Sequence, residues 1–105
     1  MLIYNTTFHI EGQKNVTQFV DYIRNVYYPA ALEGNYNVKV KFVRLVTDMG
    51  NGMTGFAFMV ELDSMSVLKK WKEEIGDRIM EKLHGAMDFQ ILSFSTTMVD
   101  MIGRF

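Results

Sequence analysis

A chain of 105 residues, 49% hydrophobic and 22% charged with a single proline, has the size and composition of one folded domain and excludes a disordered or low-complexity segment. Its formal net charge of -1 supplies no field to recruit nucleic acid or an anionic membrane, so neither is expected as a partner. The absence of cysteine excludes disulfides, thiolate nucleophiles and sulfur metal sites, and it suits a reducing compartment.

The opening stretch Met1 to Ile10 carries Asn5, Thr6, Thr7 and His9 and no basic leader. It reads as neither a signal peptide nor a membrane span, and the cytoplasm is the expected location. Leu2 to Ile10 is rich in β-branched and aromatic residues and stops at Glu11-Gly12, which predicts a first strand. From Asn15, a candidate N-cap, the apolar residues Val16, Phe19, Val20, Ile23, Val26 and Tyr27 repeat at helical spacing. Pro29 lacks an N–H and clashes with the preceding turn, so this helix is expected to end or bend near Tyr28, with Ala30 to Glu33 as a further turn. Tyr27 and Tyr28, about 100° apart on a helix, should then diverge, one to the core and one outward.

Val38, Val40 and Phe42 alternate with Lys39 and Lys41 in a second strand, and the alternation slips at Phe42-Val43. A bulge there would account for the slip, leaving open which face is buried afterwards. Asp48 to Gly52 contains an Asn-Gly turn pair, and Thr54 to Leu62 forms the third strand. Asp63 or Ser64 caps a second helix whose stripe is Val67, Leu68, Trp71, Ile75, Ile79 and Leu83, closing at His84-Gly85. Phe89 to Ile102 alternates as a long fourth strand.

The order β-α-β-β-α-β over residues 1–105 predicts a single α+β domain of ferredoxin-like type. Such a domain is a four-stranded antiparallel sheet with strand one central and both helices on one face. The opposite face, with Ile3, Ala57, Met59 and Ile91 as candidate residues, stays uncovered and apolar, and such a face implies a partner. A homodimer is expected.

Three segments, Leu2-Ile3-Tyr4-Asn5-Thr6-Thr7-Phe8-His9-Ile10, Val26-Tyr27-Tyr28-Pro29-Ala30-Ala31-Leu32 and Phe94-Ser95-Thr96-Thr97-Met98, together resemble a family of short bacterial proteins common in Bacteroidetes and classed only as a domain of unknown function. The resemblance runs nearly end to end. It implies a chain of the dimeric α/β barrel type, in which two sheets face one another across a cleft, and it implies no reaction. Relatives at the fold level include cofactor-free monooxygenases, haem enzymes, isomerases and amino-acid-sensing domains, too broad a set to carry function by analogy.

Period-two alternation puts Asn5, Thr7 and His9 on one face of strand one, and that face is expected to be the open one. Ser93, Ser95 and Thr97 form a second hydroxyl column on strand four. If both columns point into one cleft they make a hydrogen-bonding floor ringed by apolar residues, the usual make-up of a small-molecule pocket. The alternative is a dimer interface in which the same groups pair across the two-fold axis. His9 can act as acid, base or metal ligand, whereas His84 sits at a helix C-terminus, where a structural role is expected. Arg44 could clamp a carboxylate near the cleft or serve as a protective charge on an edge strand. Trp71 reads as core. No motif indicates a metal, cofactor or phosphate loop, so none is expected. Three functions remain: a ligand-binding homodimer using Asn5, Thr7, His9, Arg44, Ser93 and Ser95; a cofactor-independent monooxygenase or isomerase in which His9, Asn5 and Arg44 orient substrate; and a structural or protein-interaction module.

Overall fold

In the computed structural model the described residues are 1–46 and 52–102; apart from Gly52, the Asp48–Gly52 turn lies outside them. The chain runs β1 (Leu2–Glu11), α1 (Gln13–Tyr22), a π-turn (Ile23–Tyr27), α2 (Tyr28–Ala31), β2 (Lys39–Arg44) and β3 (Met53–Leu62). It continues through α3 (Met65–Trp71), a second π-turn (Lys72–Gly76), α4 (Asp77–Ala86) and β4 (Leu92–Val99). The strands form one antiparallel sheet in the order β2-β3-β1-β4, the ferredoxin-like arrangement.

Alternation decides which side of the sheet is dry. Phe8 and Ile10 on β1 and Phe56, Phe58, Val60 and Leu62 on β3 face the helices, where Phe19, Ile23, Trp71, Ile79 and Leu83 close over them. Each fully buried side chain of this kind contributes about 1.5–3 kcal/mol relative to exposure, so register and helix placement fix one another. Ile91, expected on the open face, belongs instead to this core, because its parity along β4 is that of the helix-facing set.

Helix boundaries depart from the expectation in instructive ways. The first helix starts earlier than Asn15. Gly12, at φ +87°, is the N-cap residue, a left-handed backbone that glycine adopts without penalty, and Asn15 Nδ2 donates to the Glu11 carbonyl at 3.0 Å from within the helix. Pro29 does not end the helix. The π-turn just before it opens the ladder at Asn25, whose carbonyl a proline four residues on would otherwise strike, and helical geometry continues to Ala31. Tyr27 is 4% exposed and Tyr28 40%, the divergence expected of neighbours on a helix. Ser64 caps the second helical run, accepting from Val67 N–H at 3.3 Å, and that run continues past Gly85 to Ala86. Among the described residues, no helix is long and apolar enough to cross a membrane.

Strand β2 has no bulge. Its pairing with β3 runs in unbroken register from Lys39–Glu61 to Arg44–Phe56, and Leu45 N–H continues it to the Gly55 carbonyl at 2.9 Å. The apparent slip at Phe42-Val43 is therefore composition, with an apolar residue on each face of an edge strand.

Candidate functional site

The register separates the residues that the sequence grouped. Asn5, Thr7 and His9 do share the face turned from the helices, opposite Met59, Ala57 and Gly55. Ser95, however, pairs with Thr6 and Ser93 with Phe8, so the serine column lies on the helix side, and Thr6 Oγ1 and Ser95 Oγ are hydrogen-bonded at 2.9 Å. Arg44 pairs with Phe56 and also lies on the helix side. Within one chain, then, Asn5 and His9 lie on one face of the sheet and Arg44 on the other. The polar column of one strand was matched to that of its neighbour, but cross-strand pairing joins positions by register rather than by chemistry.

On the open face, Asn5 Nδ2 donates to Thr7 Oγ1 at 3.1 Å, while Asn5 Oδ1 is buried with no hydrogen-bond partner. His9 sets its ring edge-on to Phe94, with centroids 6.1 Å apart. Ile3, Val43, Ala57, Met59 and Met98 share this face with the polar column, as do Thr96 opposite Asn5 and, toward the β2 edge, Lys39, Lys41 and Glu61. None of the five principal clefts borders Asn5, Thr7 or His9.

A cleft of about 260 Å³ lies instead on the helix side, between β4 and the second helical run. It exists because no helix covers β4, all eight residues of which are exposed. Phe58, Val60 and Trp71 give the cleft apolar walls, and Tyr4, Thr6, Ser93 and Ser95 supply hydroxyls. Trp71 is fixed as part of the core, its Nε1 donating to the Ala31 carbonyl at 3.0 Å. Tyr27 packs edge-on against Phe58 with centroids 4.8 Å apart and borders the same cleft. Burial first, and the neighbouring Tyr4 and Tyr22 second, hold its hydroxyl well above the ordinary tyrosine range, so it stays a neutral donor. Among the described residues nothing hydrogen-bonds to that hydroxyl. Asp77, also on the cleft, pairs with Lys72 at 2.8 Å, and this hydrogen bond raises the lysine's affinity for its proton.

Tyr4, Tyr27 and Asp77 were not among the expected site residues. Tyr27 sat in an apolar stripe and so read as core; the π-turn that carries it leaves no trace in periodicity. Among the described residues there is no group of three or more His, Asp or Glu side chains that could hold a metal ion.

A family model described as a domain of unknown function (DUF4286) matches residues 1–101. Among curated proteins no significant sequence match is found. Solved structures do share the fold. An "ethyl tert-butyl ether d (ethd) family" protein from Bacillus halodurans superposes with TM-score 0.69 at 13% identity, covering 96% of this chain and 100% of its own. A putative antibiotic biosynthesis monooxygenase from Deinococcus radiodurans gives 0.59 at 11% identity, covering 100% and 99%. A dimeric ferredoxin-like protein from an uncultured marine organism gives 0.50 at 20% identity, covering 99% and 93%. At these identities the likeness is one of fold alone.

Proposed function

We propose, on the premise that the chain belongs to the DUF4286 family, whose name assigns no activity, that it is a small-molecule-binding homodimer of one domain, working in the cytoplasm. In this reading the ligand enters the helix-side cleft beneath β4, and a second copy covers the open face. The observation that carries the binding assignment is the Tyr27 hydroxyl, a neutral donor on a ring that is 4% exposed and borders the cleft. A neutral donor at the wall of a largely apolar cleft can be answered by a ligand oxygen. The apolar walls and neutral hydroxyls favour an uncharged ligand with an aromatic or alicyclic body and a carbonyl acceptor.

The dimer assignment rests on the open face. Its apolar residues lack cover, and Asn5 Oδ1 lacks a donor that a facing copy could provide. Asn5, Thr7 and His9 then belong to the interface. Trp71, the single tryptophan and a cleft wall, reports occupancy by its fluorescence. Acetophenone should quench or shift that emission, and Tyr27→Phe should weaken binding roughly tenfold, the worth of one buried hydrogen bond. Binding unaffected by Tyr27→Phe but abolished by His9→Ala would assign the site to the open face instead.

A further inference from the structure

A second groove, at the other edge of the sheet, has a different chemistry. It measures about 310 Å³ and lies between α1 and β2. Gln13, Val16, Val20 and Arg24 follow one another at helical spacing along its upper wall, and Phe42, Arg44 and Phe56 form its sheet side. Phe42 and Phe56 stack on one another nearly parallel, 19° apart with centroids at 5.5 Å, so the sheet side of the groove is aromatic. Two guanidinium groups therefore border one partly apolar groove, and among the described residues no carboxylate lines it. The ion pairs among the described residues are Lys72–Asp77, within the second helical run, and Arg78–Glu33, which joins that run to the segment after α2; Arg24 and Arg44 form none.

We propose that this groove is a binding site for a small organic monoanion with an apolar body, such as an arylalkanoate. A groove lined by one sign of charge raises the local concentration of counter-ions, and two arginines without an acid between them favour an anion. The guanidinium fork matches a carboxylate, and Phe42, half-buried on the sheet side, gives an aryl group an aromatic contact. The volume sits at the small end of the roughly 300–1,000 Å³ found for ligand pockets, which suits a metabolite rather than a peptide. The site is separate from the Tyr27 cleft, since β3 and β1 stand between the β2 and β4 edges.

The test is a calorimetric or NMR titration with 4-phenylbutyrate, alongside its neutral amide and inorganic phosphate. The carboxylate should bind in an ionic-strength-dependent manner, and Arg24→Gln and Arg44→Gln should each weaken it roughly tenfold, as for loss of one charge-assisted hydrogen bond. The amide and phosphate should each bind at least about tenfold more weakly, one lacking the charge and the other the apolar body. Arg78→Gln, which alters a cation already paired elsewhere, should change nothing, and neither should Tyr27→Phe. Equal binding of the amide, equal binding of phosphate, or indifference to both arginine variants would overturn the proposal. Both arginines are exposed, so their variants should keep the parent circular dichroism spectrum.

Discussion

Gly76→Ala sets two known effects against one another. Gly76 has ordinary helical angles, φ -57° and ψ -48°, so alanine needs no backbone change and should gain about 1 kcal/mol of helix propensity. The added methyl, however, would stand 2.7 Å from Cζ3 of Trp71 and 3.2 Å from its Cε3 and Cη2. The indole cannot swing aside cheaply, being 2% exposed and tied through Nε1 to the Ala31 carbonyl. Overpacking of this kind costs about 1–3 kcal/mol, so the balance is a net loss of about 0–2 kcal/mol. In a Trp71→Phe background the benzo ring that would be struck is gone, and the same change should stabilise by up to about 1 kcal/mol. Urea unfolding followed by far-ultraviolet circular dichroism, at unchanged m, measures both arms of the cycle. If Gly76→Ala stabilises the parent as much as the Trp71→Phe variant, the close approach of glycine and indole is not what holds the second π-turn.

Met59→Lys places an unpaired charge on the open face and should weaken self-association by several kcal/mol if that face is buried between copies; light scattering that shows the parent itself monomeric at micromolar concentration would remove the interface. Tyr27 binds its proton more tightly folded than unfolded, so the stability it lends is complete below the ordinary value near 10 and is lost as pH rises beyond it. Tyr27→Phe should therefore flatten the alkaline fall in unfolding free energy, and an unchanged slope would show the ring is not responsible. Lys72 acts with the same sign through Asp77, so Asp77→Asn should flatten the remainder. Ser64→Ala removes the cap on the second helical run and should cost about 1 kcal/mol in chemical denaturation; no change would mean that the 3.3 Å bond to Val67 contributes nothing.

The fold was legible because its determinants are periodic. The β1 and β3 alternations and the two helical stripes each imply a buried face, and the order β-α-β-β-α-β with right-handed crossovers packs these faces together. What stayed illegible depends on pairing between distant segments. Whether Ser95 meets Thr6 or the open face is a matter of one residue of register, and that register is set by how far the chain travels from Ala86 to Leu92. The π-turns were likewise hidden, since Ile23, Tyr27, Trp71 and Ile75 keep a helical apolar spacing whether the ladder closes at four residues or five. Tyr27 and Gly76 each close one of these turns, and both border the same cleft.

Strand β4 belongs to both proposed surfaces at once. Leu92, Phe94, Thr96 and Met98 look to the open face, while Ser93, Ser95 and Thr97 look to the helix side, and the strand is held by β1 alone. A single edge strand exposed along its whole length keeps backbone freedom that either occupant must restrict. If a second copy covers its outer face, the wall of the Tyr27 cleft is ordered before any ligand arrives, and the ligand no longer bears that entropy cost. Linkage then requires the converse: a ligand in the cleft must tighten the dimer by the same factor by which dimerisation tightens the ligand. Sedimentation equilibrium with and without saturating acetophenone measures one factor, and Trp71 titration of the parent against Met59→Lys measures the other. Two equal factors above one would establish β4 as the element that couples the surfaces. A dimer constant indifferent to the ligand would show that each surface closes on a strand already rigid.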